Sequence, residues 1–182
     1  MVQRILIIIV HFSLVLLAFE SAQAQTAVTT LGATNARQCF QNSAFEGSFD
    51  IGPCDAALKG ENLTRSDRWK TLVNRGIILN RNGDLNAALD DFNTVIDENA
   101  EFAEAYLNRG NVWFLAGKLE QAFEDYHLAL ELDISEPWSA WYNIGLVHDA
   151  RKDLEAGQIA YKKSLAAKPD FQPALLKLRL EK

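Results

Sequence analysis

The sequence is poor in the residues from which metal sites and phosphate-binding loops are built. Its 182 residues include two cysteines and three histidines, which leaves few ligands for a metal cluster. It contains no Gly-rich phosphate loop and no serine in a nucleophile-elbow context. Lysine and arginine number 18 against 24 aspartates and glutamates, and this net charge of −6 excludes a nucleic-acid binder held by a general basic field. We therefore expect no cofactor, no metal site and no nucleic-acid partner.

Apolar runs of membrane length are absent after the first residues of the chain. There, Arg4 precedes an apolar run from Ile5 to Phe19, and Ala22-Gln23-Ala24 matches a small-residue cleavage site. These three parts predict a secretory signal peptide over residues 1–24. The alternative is an uncleaved anchor, but the run is shorter than the roughly 20 residues that a bilayer core requires. We expect an exported chain, periplasmic or secreted, with no membrane insertion after cleavage.

The rest of the chain repeats with a period of 34 to 35 residues. Within each unit, apolar residues recur at steps of three and four, which is typical of an α-helix. Asn82-Gly83-Asp84 and Ala116-Gly117-Lys118 separate two such helices and predict tight turns. Each unit is therefore predicted to be a pair of antiparallel helices. The equivalent positions are Gly76, Gly110 and Gly145; Ala88, Ala122 and Gly157; and Phe92, Tyr126 and Tyr161.

This pattern resembles the tetratricopeptide repeat, a 34-residue helix–turn–helix with Gly, Ala, Pro and aromatic residues at set positions. The resemblance covers residues 69–102, 103–136 and 138–171. It implies an all-α fold, a right-handed superhelical solenoid of three helix pairs. The departures from the pattern are Arg75, Arg109 and Ile144 at a usual leucine position, Gly157 at an alanine position, and His148 at an aromatic position.

The segments on either side of the three repeats are predicted to be helical extensions. Residues 172–182 repeat the start of a first helix and predict a capping helix, which a solenoid needs at its end. Residues 37–68 predict a degenerate N-terminal helical hairpin, because Cys54-Asp55-Ala56-Ala57-Leu58 resembles the second helix of a repeat. Residues 25–36, rich in threonine and alanine, predict a flexible lead.

The two cysteines, Cys39 and Cys54, are predicted to form a disulfide. The export signal places them in an oxidising compartment, and two thiols allow a single intramolecular pairing. Two thiols with no neighbouring histidine are too few for a closed metal site, and their spacing is not the C-x-x-C of redox catalysts. The remaining alternative is two separate thiols.

Asparagine recurs at one position of the predicted first helices, as Asn74, Asn108 and Asn143. First helices line the concave surface of such solenoids, and an amide both donates and accepts hydrogen bonds, as an extended peptide backbone requires. The structural alternative is that asparagine is simply common at this position of the repeat. Further groove candidates are Asn111, Val73, Ile77, Leu107, Phe114, Tyr142 and Leu146.

These features predict a non-enzymatic protein–protein interaction module of the bacterial periplasm, which binds a peptide or protein segment in its groove. The alternative is a structural or assembly subunit of an envelope complex that docks through its terminal helices. Catalysis is disfavoured because His127 and His148 are predicted to have packing or surface roles on the repeat helices. A branch of the family grips chaperone C-termini, but Val73 and Ile77 stand where that branch carries lysine and asparagine.

Overall fold

A computed structural model describes residue 27 and residues 34–180. The predicted signal peptide 1–24, most of the lead 25–36 and the last two residues of the predicted cap lie outside the described residues. Over the described part of the chain the structure consists of nine α-helices and no strand, which confirms the all-α solenoid. The helices are α1 (Thr34–Ala44), α2 (Gly52–Gly60), α3 (Arg65–Asn82), α4 (Leu85–Glu98), α5 (Ala103–Leu115), α6 (Leu119–Glu131), α7 (Pro137–Ala150), α8 (Leu154–Ala167) and α9 (Gln172–Leu180).

Across residue 27 and residues 34–180, every helix is too short or too polar to cross a lipid bilayer.

The repeated glycines allow the two helices of each pair to pack closely. A Cβ atom on Gly110 would lie 2.6 Å from Cε1 of the Tyr126 ring, which is closer than real Cβ atoms approach. The Phe92 ring occupies the same place over Gly76. The pairs α3–α4, α5–α6 and α7–α8 therefore share one packing contact, which explains why glycine and an aromatic residue repeat together.

Two arginines at the usual leucine position form partly buried ion pairs between the helices of their own pair. Arg75 donates from Nη2 and Nε to Asp91 at 2.6 and 2.8 Å, and Arg109 contacts Asp125 in the same way at 2.7 and 2.8 Å. Bidentate pairs of this kind are the strongest carboxylate contacts of arginine. In the third pair the equivalent positions hold Ile144 and Ala160, both buried.

The same arginines reach back to the preceding helix pair with their remaining nitrogen. Arg75 Nη1 donates to Asp55 of α2 at 2.7 Å, and Arg109 Nη1 donates to Asn93 of α4 at 2.9 Å. Hydrogen bonds to Asp91 raise the pKa of Arg75, whereas burial raises the pKa of Asp91 against the opposing effect of the arginine. Each arginine thus connects three helices.

The N-terminal hairpin α1–α2 is joined by a disulfide between Cys39 and Cys54, which confirms the predicted pairing. Both sulfur-bearing residues are fully buried against Ile78 of α3, and their Cα atoms lie 4.7 Å apart. The carboxylate of Glu61 accepts hydrogen bonds from the backbone N–H of Asn35 and Ala36 at the start of α1. The disulfide therefore joins the two helices of the hairpin, and the packing against Ile78 attaches the hairpin to the first repeat.

The C-terminal helix α9 packs on α8 through Ala174, which lies in a cluster with Tyr142 and Tyr161. Lys177 of α9 donates to Asp149 Oδ2 of α7 at 2.9 Å, so an ion pair also holds this helix.

Candidate functional site

The groove candidates lie on the first helices of the three pairs. These helices are neighbours, because α3 contacts α5 and α5 contacts α7. Val73, Asn74 and Ile77 belong to α3. The remaining candidates are Leu107, Asn108, Asn111 and Phe114 on α5, and Tyr142, Asn143 and Leu146 on α7.

Nine of these ten candidates are buried, among them all three asparagines of the predicted ladder. Only Phe114 of α5 is partly exposed. Sequence periodicity identifies the shared helix face but not how deeply its side chains are covered. Recognition of a ligand by these residues stays a prediction.

Hydrogen bonds connect the candidate amides across the helices. Asn143 Nδ2 on α7 donates to Asn111 Oδ1 on α5 at 2.8 Å, and the Tyr126 hydroxyl on α6 donates to the same oxygen at 3.0 Å. Burial raises the pKa of Tyr126, so the hydroxyl keeps its proton as a donor. Asn108 Nδ2 donates to the Glu104 carbonyl oxygen of its own helix at 2.8 Å. The amides are therefore held in defined orientations along the face.

Ala27, which precedes α1 in the chain, also contacts the first repeat. Ala27 is partly buried and packs against the apolar cluster that includes Val73, Ile77 and Ala105. Residue 27 is not helical. The first repeat thus accommodates a non-helical residue against its core.

A second candidate region lies between the second helices α6 and α8 and is also lined by α7. It is a cavity of about 160 Å³. His127 and His148 line it, and the Phe123 ring lies 4.5 Å from His127 and 5.5 Å from His148, measured between ring centroids. Burial lowers the pKa of His127, and Asp153 Oδ2 lies 3.7 Å from His148 Nδ1. Within residue 27 and residues 34–180, no three histidine, cysteine or acidic side chains come together as metal ligands.

The equivalent space between α2 and α4 is charged. A cavity of about 280 Å³ there is lined by Ile51, Asp55 and Arg75, together with Asp90 and Asp91. The Arg75 ion pairs occupy its base. The two cavities therefore differ in character although they hold corresponding places in the array.

Comparison with known proteins agrees with this architecture. Two family models, both described as the tetratricopeptide repeat, match residues 103–134 and 139–171. These matches, together with the fold, support tetratricopeptide repeats in this part of the chain. Such repeats are generally non-enzymatic modules for protein interaction. No curated protein matches the sequence.

Solved structures with the same fold include that of MamA, which is 24% identical over 78% of this chain and 81% of that chain, with a TM-score of 0.60. The first repeat domain of Spaghetti (RPAP3), bound to the HSP90 peptide SRMEEVD, is 23% identical over 64% of this chain and 91% of that chain, with a TM-score of 0.58. A tetratricopeptide repeat protein from Parabacteroides merdae is 21% identical over 80% of this chain and 58% of that chain, also with a TM-score of 0.58. At these identities the likeness shows the fold alone.

Proposed function

We propose that this chain is a non-enzymatic interaction module that binds an extended peptide or protein segment on the face formed by α3, α5 and α7. The observation that carries the proposal is the set of equivalent amides, Asn74, Asn108 and Asn143, on three adjacent first helices. These amides are buried, so a bound segment can reach them only where the face opens. Amides aligned at the spacing of the helices match the donors and acceptors of an extended backbone. A structural relative with the same fold holds a peptide, which supports the choice of ligand class.

The compartment we propose is one beyond the inner membrane, reached through the signal peptide. The Cys39–Cys54 disulfide supports this location, because disulfides persist in oxidising compartments such as the periplasm. N-terminal sequencing of the exported protein is expected to begin at Gln25. A protein that retains residues 1–24 would contradict the proposed cleavage.

The binding proposal is tested with a displayed library of random peptides panned against residues 25–182. An enriched peptide is labelled, and its dissociation constant is measured by fluorescence anisotropy. Replacing Asn108 and Asn143 together by alanine removes two hydrogen-bonding groups, each worth about 1 kcal/mol, so we expect binding roughly 30-fold weaker. Asn86→Ala, at an exposed asparagine of the second helix α4, is the matched control and should bind normally.

Circular dichroism at the assay temperature checks that the double variant is folded. Asn111 Oδ1 keeps the Tyr126 hydroxyl when Asn143 is lost, so the network is weakened rather than removed. An unchanged dissociation constant in the folded double variant would exclude these amides from the site. Failure to enrich any peptide would reject the groove as a peptide-binding surface.

A further inference from the structure

The cavity between α6 and α8 has the size and chemistry to receive an aromatic ring. Its volume of about 160 Å³ is close to that of an apolar protein cavity known to hold benzene. Ile159 lies at its rim and is 50% exposed, and Lys163 Nζ lies 4.1 Å from the centroid of the Trp141 ring. The lining residues are His127, Trp141, Ile144, His148, Ala156, Ile159, Ala160 and Lys163. The lining therefore combines apolar and aromatic side chains with two imidazoles and the Lys163 ammonium group. Two carboxylates lie near its histidines, Glu131, which acts on His127, and Asp153, which lies beside His148; neither lines the cavity.

The apolar character of this cavity follows from the sequence of the third repeat. The first two pairs place an arginine and an aspartate where the third places Ile144 and Ala160. The small alanine leaves space, and the isoleucine supplies an apolar floor. An aromatic group can enter here without displacing an arginine–aspartate pair, which is not so beside Arg75.

The loop between α1 and α2 presents two aromatic rings to solvent. Phe45 is 68% exposed and Phe49 is 58% exposed. Each is followed by an exposed carboxylate, Glu46 or Asp50. Both rings belong to one five-residue stretch of the loop, and exposed apolar surface concentrated in one place is typical of interaction sites.

The backbone of this loop is held in one conformation by the end of α3. The Arg81 guanidinium donates to four carbonyl oxygens, those of Asn42, Ser43, Phe45 and Ser48, at distances of 3.2, 2.8, 3.0 and 2.7 Å. Asn82 Nδ2 donates to the Phe49 carbonyl oxygen at 3.1 Å. A preorganised loop loses little conformational entropy on binding, so its exposed rings are suited to act as anchors.

We propose that the loop of one molecule, residues 45–50, docks into the α6–α8 cavity of a second copy of this chain. A phenylalanine ring of the loop fits the apolar cavity, and the carboxylates of Glu46 and Asp50 complement Lys163. Arg81 ties the loop to α3, whereas the cavity is formed by α6, α7 and α8, so we expect the contact to form between molecules and not within one. Loop and cavity are different surfaces, so the contact is head-to-tail and can add further copies.

Sedimentation velocity of residues 25–182 over a concentration series tests this contact. We expect the sedimentation coefficient of the wild type to rise with concentration. Phe45→Ser with Phe49→Ser in the loop should weaken the association at least about 30-fold, the effect of removing a hot-spot aromatic. Lys163→Glu in the cavity should weaken it as well, because it faces the loop carboxylates with a like charge.

Mixing the two variants distinguishes this contact from general stickiness. The loop variant keeps a working cavity and the Lys163→Glu variant keeps a working loop, so the mixture should form a one-to-one dimer that cannot grow. Lys162→Glu, at an exposed neighbour outside the cavity, and Leu176→Ser, at a 54% exposed leucine of α9, are controls that should associate like the wild type.

Three results would overturn the proposal. They are a wild type that stays monomeric up to its solubility limit, association that survives both the loop and the cavity variants, and a mixture of the two variants that contains only monomers. The substituted residues are exposed, so the variants are expected to fold, and circular dichroism verifies this.

Discussion

Replacing Arg109 by isoleucine would leave the Asp125 carboxylate buried without its cation. Asp125 is 7% exposed and receives two hydrogen bonds from the guanidinium, at 2.7 and 2.8 Å. Removing one partner of a buried pair typically costs about 3–5 kcal/mol. Arg109 is itself 21% exposed, so we expect a loss near the lower end, roughly 3 kcal/mol of unfolding free energy.

The third repeat of the same chain supplies the matched apolar replacement, because Ile144 and Ala160 occupy the equivalent positions there. Adding Asp125→Ala to Arg109→Ile removes the unpaired charge, and replacement of a buried ion pair by apolar residues is often nearly neutral. We therefore expect the double variant to recover most of the stability lost by the single variant. Urea unfolding followed by circular dichroism measures both.

The pH dependence of the single variant provides a second readout. Burial already raises the pKa of Asp125 above its usual 3.8, and without Arg109 the opposing effect of the guanidinium is gone. A carboxyl whose folded pKa exceeds its unfolded value contributes stability below the unfolded pKa and loses it as pH rises through the folded pKa. The defect of Arg109→Ile should thus be smaller near pH 4 than at pH 7. A double variant no more stable than the single, or a defect that grows in acid, would refute the assigned role of the pair.

Two further changes test the packing and the disulfide. Gly110→Ala places a methyl group against the Tyr126 ring, whereas in the control Gly60→Ala the new Cβ meets nothing within 4 Å. We expect the Gly110→Ala variant to be about 1–3 kcal/mol less stable than the control, and equal urea midpoints would contradict the assigned contact. Replacing Cys39 and Cys54 by alanine opens a loop of 15 residues, worth about 3 kcal/mol, and should lower the melting temperature by roughly 6–12 °C in calorimetry; an unchanged melting temperature would show that the bridge does not stabilise the fold.

The helix pairs and their close contact were predictable because the signals are local and repeated. Gly110 and Tyr126 recur one period later at Gly145 and Tyr161, and glycine opposite an aromatic ring has a direct packing reason. The disulfide was predictable by counting, since two cysteines allow one pairing.

The ion pairs that join different helices were not predicted. Arg75 and Arg109 stood out only as departures from leucine, yet the aspartates that pair with them follow at the same spacing of 16 residues in both repeats. That shared spacing is a signal that a comparison of the two repeats could have used. The burial of the Asn108 and Asn143 side chains had no such signal in the sequence. Burial depends on how closely neighbouring helices approach and not on the period of the sequence.

The backward reach of the arginines constrains how such an array could grow by tandem duplication. The second repeat contains Arg109, which donates a hydrogen bond to an oxygen of the preceding repeat, that of Asn93. A second copy of that unit would instead meet His127, which lies 34 residues after Asn93 and offers at most one ring nitrogen. A copy of the first unit would again present Asn93 to the arginine that follows. Duplication of the first repeat would therefore keep an oxygen acceptor for every arginine, whereas duplication of the second repeat would not.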